Sequence, residues 1–359
     1  MREGADSLDL YRAVGGRDGC LQLSETFYSR VKRDSVLRPL FPGKSLRCAI
    51  HAFAAFLGQF LGGPAEDAQE RWFLSLRESH LRFKIGPRER RAWMSNMAAA
   101  LEDVPLDEPV RRALRDLFER SSVYLVNSGE AAAPAAGREN RPDDGIHRAM
   151  AQRWTEQRAL DDLVAAIRYG DAGRCLELAK SPALKARFAR DRAVFAHVLS
   201  LMMGCGIHAL LEYAEEELRA DPPLAKVRGR YGRTLLHDAS AQGNPRMVEL
   251  LLRLGADPND GIQFGRTPLY CVANECPRGG AEIVRALVRA GARVNERCGS
   301  KQCTALHVAA RRGNAEIAEA LLESGADIHA RDKSGDTALQ RAKNCRKANV
   351  AALLAASGP

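Results

Sequence analysis

The sequence predicts an all-α protein that consists of two unlike halves. Apolar residues in the first half recur three and four positions apart, and no alternating pattern typical of strands is present. The second half contains a repeat of about 33 residues, which is typical of helical solenoids. Between the halves lies a stretch with many small residues, prolines and glycines and no large apolar side chain, as in a flexible linker. We therefore predict one domain at 1–127, a flexible linker at 128–145 and a repeat domain at 146–359.

The composition indicates a water-soluble protein of the cytoplasm. Of the 359 residues, 45% are hydrophobic and 28% are charged, and no run approaches the ~20 apolar residues that span a bilayer. The first residues are charged, so we expect no secretion signal, and the nine scattered cysteines are typical of reduced thiols. The net charge of +9 arises from interspersed charges of both signs, so nucleic-acid binding is not expected.

Amphipathic segments mark the helices of the first half. Apolar residues at helical spacing run from Leu46 to Leu61. The pair Gly86-Pro87 predicts the start of a later helix, because proline suits the first helical turn. The other apolar faces consist of Leu21, Phe27, Tyr28 and Val31 on an early helix, Trp93, Met94, Met97 and Leu101 on the helix after Gly86-Pro87, and Val110, Leu114, Leu117, Tyr124 and Leu125 on the last.

Four similar seven-residue segments define the repeat of the second half. Each has a threonine at its centre, and these threonines are 33, 37 and 33 residues apart: Thr234, Thr267, Thr304 and Thr337. A threonine can cap the helix that follows it, and a glycine further along each of the first three units can end a second helix. Clear repeats therefore begin at residue 231. Residues 160–227 show the helical pattern without the threonine, as in degenerate units that cap a stack.

The repeat resembles the ankyrin repeat, whose unit of about 33 residues consists of a turn and two antiparallel helices. The resemblance implies an ankyrin-repeat α-solenoid that serves protein–protein interaction. We expect the binding surface to be the concave face and the hairpin tips near residues 260–264, 296–302 and 331–335. It would bind either the other half of the chain or an unidentified protein partner.

A series of short motifs in the first half has the order found in one family of haem proteins. The motifs lie at residues 11–16, 27–31, 40–43, 56–64, 80–87 and 89–94. The series resembles the truncated haemoglobins, in the class that has a tryptophan in the penultimate helix, often called group II. The resemblance covers residues 8–128. It implies a truncated globin fold of two helices over two, one haem b (iron protoporphyrin IX) and reversible binding or transport of O₂, or binding of NO or CO.

The iron of a globin haem requires one neutral imidazole and an open sixth position. The first half contains two histidines, His51 and His80. Helical periodicity places His51 away from the apolar side of its helix, whereas His80 lies among apolar residues shortly before the Gly86-Pro87 helix. The histidine at this place is the proximal ligand in the truncated haemoglobins, so the resemblance implies that His80 is the metal ligand. The cations that haem propionates need could come from Arg77, Arg82 or Lys84.

The resemblance also implies the other residues of the haem pocket. Phe41 matches the aromatic residue that packs on the haem, and Tyr28 matches the distal tyrosine whose hydroxyl can bond a ligand. Trp93 matches the distal tryptophan, whose indole N–H can only donate. Ala49 stands where many globins have a distal histidine or glutamine and supplies no donor, and Phe53 is expected to line the cavity one turn further on. The alternative for each aromatic residue is ordinary core packing.

Three functions are compatible with these features. The first is a haem-based binder of a diatomic gas whose repeats either tether it to a protein partner or read its ligand state. The second is a haem enzyme that oxidises NO or reacts with peroxide, with electrons from a separate protein because the sequence has no flavin or nicotinamide domain. The third is an ankyrin scaffold whose globin half has lost haem, and the presence of an iron ligand with its pocket residues disfavours it. We expect the two halves to fold independently, so that residues 1–130 bind haem unaided.

Overall fold

The computed structural model describes residues 9–41, 43, 45–64, 75–128 and 145–357. Within these ranges the regular elements are helices, with two isolated β-bridges and no strand, which confirms the all-α fold class. None of the helices in the described ranges is long and apolar enough to cross a membrane. Most of the linker predicted at 128–145 lies outside the described residues.

The chain folds into two compact units. The first comprises Met1–Ala165 and Leu178–Arg187, and the second comprises Ala166–Glu177 and Phe188–Pro359. This partition differs from the predicted domain limits, because residues 145–165 and 178–187 belong to the first unit rather than to the repeats. The physical reason is that apolar side chains after the linker are buried in the core of the first unit.

The helices before the linker cover the segments that apolar periodicity predicts. They are α1 (Leu10–Ala13), α2 (Gly16–Val31), α3 (Arg47–Leu61), α4 (Leu76–His80), α5 (Pro87–Asp103) and α6 (Glu108–Tyr124), with a short 3-10 helix at Arg38–Leu40. Helix α2 packs against α3 and α5, and α5 packs against α6. Their apolar faces share one buried core, which includes Phe27, Leu57 and Met97.

Local signals set the ends of two of these helices. Helix α3 ends at Gly62, which has a left-handed backbone with a φ of 90° that glycine adopts without steric cost. Helix α5 begins at Pro87, and the preceding Gly86 N–H donates to Glu89 Oε2 at 2.9 Å. The Gly86-Pro87 pair therefore starts the helix where the sequence predicts it.

Helix α7 (Gly145–Tyr169) follows the linker and packs onto the core of the first unit. Met150 and Trp154 are buried in that core. The Trp154 ring meets the Tyr124 ring edge-on, with the ring centroids 5.5 Å apart. Arg153 Nη1 also donates to the carbonyl oxygen of Phe60 at 3.1 Å. Residues on both sides of the linker thus share one core.

The second unit is built from pairs of helices. The first helices of successive repeats pack against one another, and the second helices do the same, as in an ankyrin solenoid. Two helices come before the pairs in the chain: α8 (Ala172–Ala179), and α9 (Pro182–Arg190), most of which belongs to the first unit. The pairs are α10 (Arg192–Gly204) with α11 (His208–Ala220), α12 (Leu235–Gln242) with α13 (Pro245–Arg253), α14 (Pro268–Glu275) with α15 (Gly280–Arg289), α16 (Ala305–Arg312) with α17 (Ala315–Glu323), and α18 (Ala338–Asn344) with α19 (Ala348–Ala356).

Buried histidines connect successive repeats. His237 Nδ1 lies 2.8 Å from the hydroxyl of Thr234, and His237 Nε2 lies 3.0 Å from the carbonyl oxygen of Asp260 in the next hairpin. His307 makes the equivalent two contacts further along the stack. Burial lowers the pKa of both imidazoles. The folded repeats therefore favour neutral histidines.

Acidification should consequently destabilise the second unit. A histidine whose pKa is lowered in the folded protein binds its proton more strongly when unfolded. Stability is therefore highest above the ordinary histidine pKa of about 6.5 and falls as the pH drops below it. Urea unfolding followed by circular dichroism measures this loss of stability. All three tryptophans precede residue 166, so tryptophan fluorescence follows the unfolding of the first unit and allows it to be distinguished from that of the second.

The variant His237→Gln should show a smaller pH dependence of the second unit's unfolding midpoint than the wild type. His329→Gln is the control, because His329 is exposed. A pH dependence of equal size in wild type and His237→Gln would contradict the expectation.

Candidate functional site

An apolar cavity opens among the helices of the first unit. It encloses ≈ 1200 Å³ of space that atoms do not fill, including the part open to solvent. Its lining includes all six residues predicted for the site: Tyr28, Phe41, Ala49, Phe53, His80 and Trp93. The fold therefore brings together side chains from helices α2, α3, α4 and α5 and from the loop before α3.

His80 is the last residue of the short helix α4. Its Nδ1 lies 2.8 Å from the carbonyl oxygen of Leu76 and 2.9 Å from the hydroxyl of Ser79. Because a carbonyl oxygen only accepts hydrogen bonds, Nδ1 carries the ring proton and Nε2 keeps its lone pair. No described residue forms a hydrogen bond with Nε2. The backbone of α4 thus orients the ring and leaves one nitrogen available to a ligand.

The surroundings of His80 favour its neutral form. Burial lowers the pKa of His80, and the positive charge of Arg82 lowers it further, against the effect of the hydrogen bond to Leu76. A neutral imidazole with an accessible lone pair is the form that binds haem iron. His51, by contrast, is exposed on α3 and does not line the cavity.

Aromatic rings form much of the cavity wall. Tyr28 meets Phe41 edge-on with the ring centroids 5.5 Å apart, and the centroids of Trp93 and Phe53 are 6.5 Å apart. Burial raises the pKa of the Tyr28 hydroxyl, so this group stays protonated and can donate. The Trp93 indole N–H can also donate, whereas the neighbouring Ala49 cannot. Tyr28 and Trp93 are therefore the two aromatic side chains of the cavity wall that can donate a hydrogen bond.

The cations at the cavity differ in part from those that the sequence suggests. Arg82 lines the cavity, whereas Arg77 and Lys84 do not. The Arg77 guanidinium lies 5.5 Å from the centroid of the Tyr124 ring. Arg90 lines the cavity and was not predicted. Arg90 lies three residues before Trp93 on α5, and residues three apart share a helix face. This spacing is the sequence signal that could have identified Arg90 as a residue of the cavity.

A partly buried imidazole that lines an aromatic cavity among packed helices is typical of the globin class. Residues 9–127 match the family described as bacterial-like globin. Over 121 residues, which are 34% of this chain and 90% of the other, the sequence is 36% identical to the Group 2 truncated hemoglobin YjbI of Bacillus subtilis (strain 168). The chain belongs to the truncated haemoglobin family, as the motifs of its first half predict.

The second half matches the family described as ankyrin repeats in three copies, over residues 236–332 and 278–359. The chain is 36% identical over 156 residues to Ankyrin repeat and SOCS box protein 16 of Homo sapiens, covering 41% of this chain and 31% of that protein. It is 44% identical over 63 residues to ADP-ribosylation factor GTPase-activating protein AGD2 of Arabidopsis thaliana, covering 17% of this chain and 8% of that protein. The chain spans less than a third of either protein. The predicted fusion of a truncated globin with ankyrin repeats is confirmed.

Proposed function

We propose that the first unit binds one haem b through His80 and binds a diatomic gas, O₂, NO or CO, in the same cavity. We further propose that the ankyrin repeats bind a protein partner in the cytoplasm. The observation that supports the haem proposal is the partly buried imidazole of His80, which lines the cavity and whose Nδ1 is held by Leu76, so that Nε2 stays available to a ligand. When bound, haem supplies an iron ion with one open coordination position.

The residues of the cavity fit a haem group. Its aromatic and aliphatic walls suit a flat porphyrin, and the exposed Arg82 supplies positive charge for the propionates. Titration of the haem-free chain with haemin tests this fit. We expect one equivalent to bind, with a Soret band and quenching of Trp93 fluorescence. A globin that has lost its haem would give neither signal.

The variants Tyr28→Phe and Trp93→Phe should each release O₂ faster than the wild type. Each substitution removes a hydrogen-bond donor from the cavity and keeps an aromatic ring in place. Loss of one hydrogen bond to a polar ligand costs roughly 1–3 kcal/mol, which corresponds to about five- to 150-fold faster dissociation. Stopped-flow displacement of O₂ from the ferrous protein measures the rate.

Phe53→Leu is the matched control for these two variants, because Phe53 lines the same cavity and has no donor to lose. It should change the O₂ dissociation rate much less than either donor variant. Wild-type dissociation rates in both Tyr28→Phe and Trp93→Phe would show that the ligand is held by other groups.

Exposed aromatic side chains at the hairpin tips support the proposed protein partner. Phe264 lies in the predicted tip at 260–264 and is 59% exposed, and Tyr231 occupies the equivalent position one repeat earlier and is 46% exposed. Both residues have a left-handed backbone, with φ of 63° and 58°, which is strained for a bulky side chain. Successive tips thus present large apolar groups, a feature of interaction surfaces.

A further inference from the structure

A buried carboxylate from beyond the linker bonds to the helix that carries His80. Asp161 on α7 accepts hydrogen bonds from the backbone N–H of Leu76 at 2.9 Å and from that of Arg77 at 3.3 Å. Gln157, one turn earlier on α7, donates to the same carboxylate at 2.9 Å and orients it. Asp161 is only 3% exposed, so water has little access to replace these bonds.

Leu76 connects Asp161 to the imidazole. Its N–H donates to the Asp161 carboxylate, and its carbonyl oxygen accepts the hydrogen bond from His80 Nδ1. Helix α4 is five residues long, so a shift of its first residue displaces its last residue, His80, as well. Hydrogen bonds to an ionised carboxylate are also stronger than those between neutral groups. The position of α4 therefore depends on α7.

We propose that Asp161 is a positioning residue for His80, which rests on the proposed binding of haem through that histidine. Asp161 holds the start of α4 and thereby sets the direction of His80 Nε2 in the cavity. Helix α7 lies outside residues 9–127, which match the globin family. In this chain α7 thus holds the helix that carries His80, although none of the described residues that line the cavity belongs to α7.

The surroundings of Asp161 are compatible with a carboxylate at neutral pH. Burial raises the pKa of Asp161 to about 6, and the hydrogen bonds that it accepts act in the opposite direction. Above that pH the ionised group can accept both backbone hydrogen bonds.

Resonance Raman spectra of the haem-loaded, ferrous full chain test the proposal through the iron–histidine stretching band. Asp161→Asn keeps the side-chain shape and removes one acceptor, and Asp161→Ala removes both. We expect the band to shift in Asp161→Asn and to shift further in Asp161→Ala. Haem binding should weaken about tenfold in the alanine variant, since groups that orient metal ligands typically contribute roughly 10–100-fold to affinity. Asp162→Asn is the matched control, because Asp162 is the adjacent, exposed carboxylate of α7.

Hydrogen exchange of the haem-free full chain provides a readout that does not depend on haem. The Leu76 and Arg77 amides should exchange faster in both Asp161 variants than in wild type or Asp162→Asn, and tryptophan fluorescence shows that each variant is folded. If Asp161→Ala does not fold, the same measurements on Asp161→Asn decide the question. An unshifted iron–histidine band with wild-type haem affinity in a folded Asp161 variant would overturn the proposal. A wild-type chain without that band would overturn the proposed haem binding, and the role of Asp161 with it.

Discussion

The variant His80→Ala should lose the axial bond to haem iron, and the ferrous protein should lose its five-coordinate spectrum. His80 lines the cavity of the first unit, and its Nδ1 bonds to Leu76, which leaves Nε2 available to a ligand. Burial lowers the pKa of the ring and favours its neutral form. Alanine removes that nitrogen and leaves the helices around the cavity in place. Absorption and resonance Raman spectra of wild type and variant, each loaded with one equivalent of haem, measure the loss.

Two controls make this result specific. His51→Ala should keep the wild-type spectrum, because His51 is exposed on α3 and does not line the cavity. The smaller variant His80→Gly should recover a five-coordinate spectrum when imidazole is added, since the free ligand can enter the space that the ring leaves. Equal losses in the His51 and His80 variants would exclude His80 as the specific ligand.

The variant Trp154→Ala should destabilise the first unit by about 3–5 kcal/mol, the usual cost of removing a large buried aromatic side chain. Trp154 is 7% exposed in the core of that unit and packs edge-on against Tyr124. Urea unfolding of the full chain measures the change. Fluorescence of the remaining tryptophans, Trp72 and Trp93, reports the first unit without interference from the repeats.

Thr155→Ala is the matched control, because Thr155 is the exposed neighbour on the same helix. Its effect should stay within about 0.5 kcal/mol, as is usual for surface substitutions. A similar small effect of Trp154→Ala would show that α7 contributes little to the core. The independent folding of residues 1–130 stays a prediction, and the burial of Trp154 leads us to expect that such a fragment unfolds at lower urea concentration than the first unit of the full chain.

Much of the fold and of the candidate site follows from local sequence signals. Apolar periodicity predicts α3, the pair Gly86-Pro87 predicts the start of α5, and the recurring threonines predict the solenoid. His80 is distinguished from His51 because the side of a helix on which a residue lies depends only on nearby spacing. Each of these features involves residues within a few helical turns or at a fixed period. The sequence therefore determined them without reference to tertiary contacts.

The tertiary structure alone decided which distant side chains meet. Asp161 bonds to a backbone N–H that lies 85 positions earlier, and no spacing or motif relates the two. Helix α7 has an apolar face that another element must cover. Only the structure shows that the globin core covers it, through the packing of Trp154 against Tyr124. Periodicity identifies which face of a helix is buried. The partner of that face is chosen by how whole elements fill a common core, because close packing depends on shapes contributed from several parts of the chain at once.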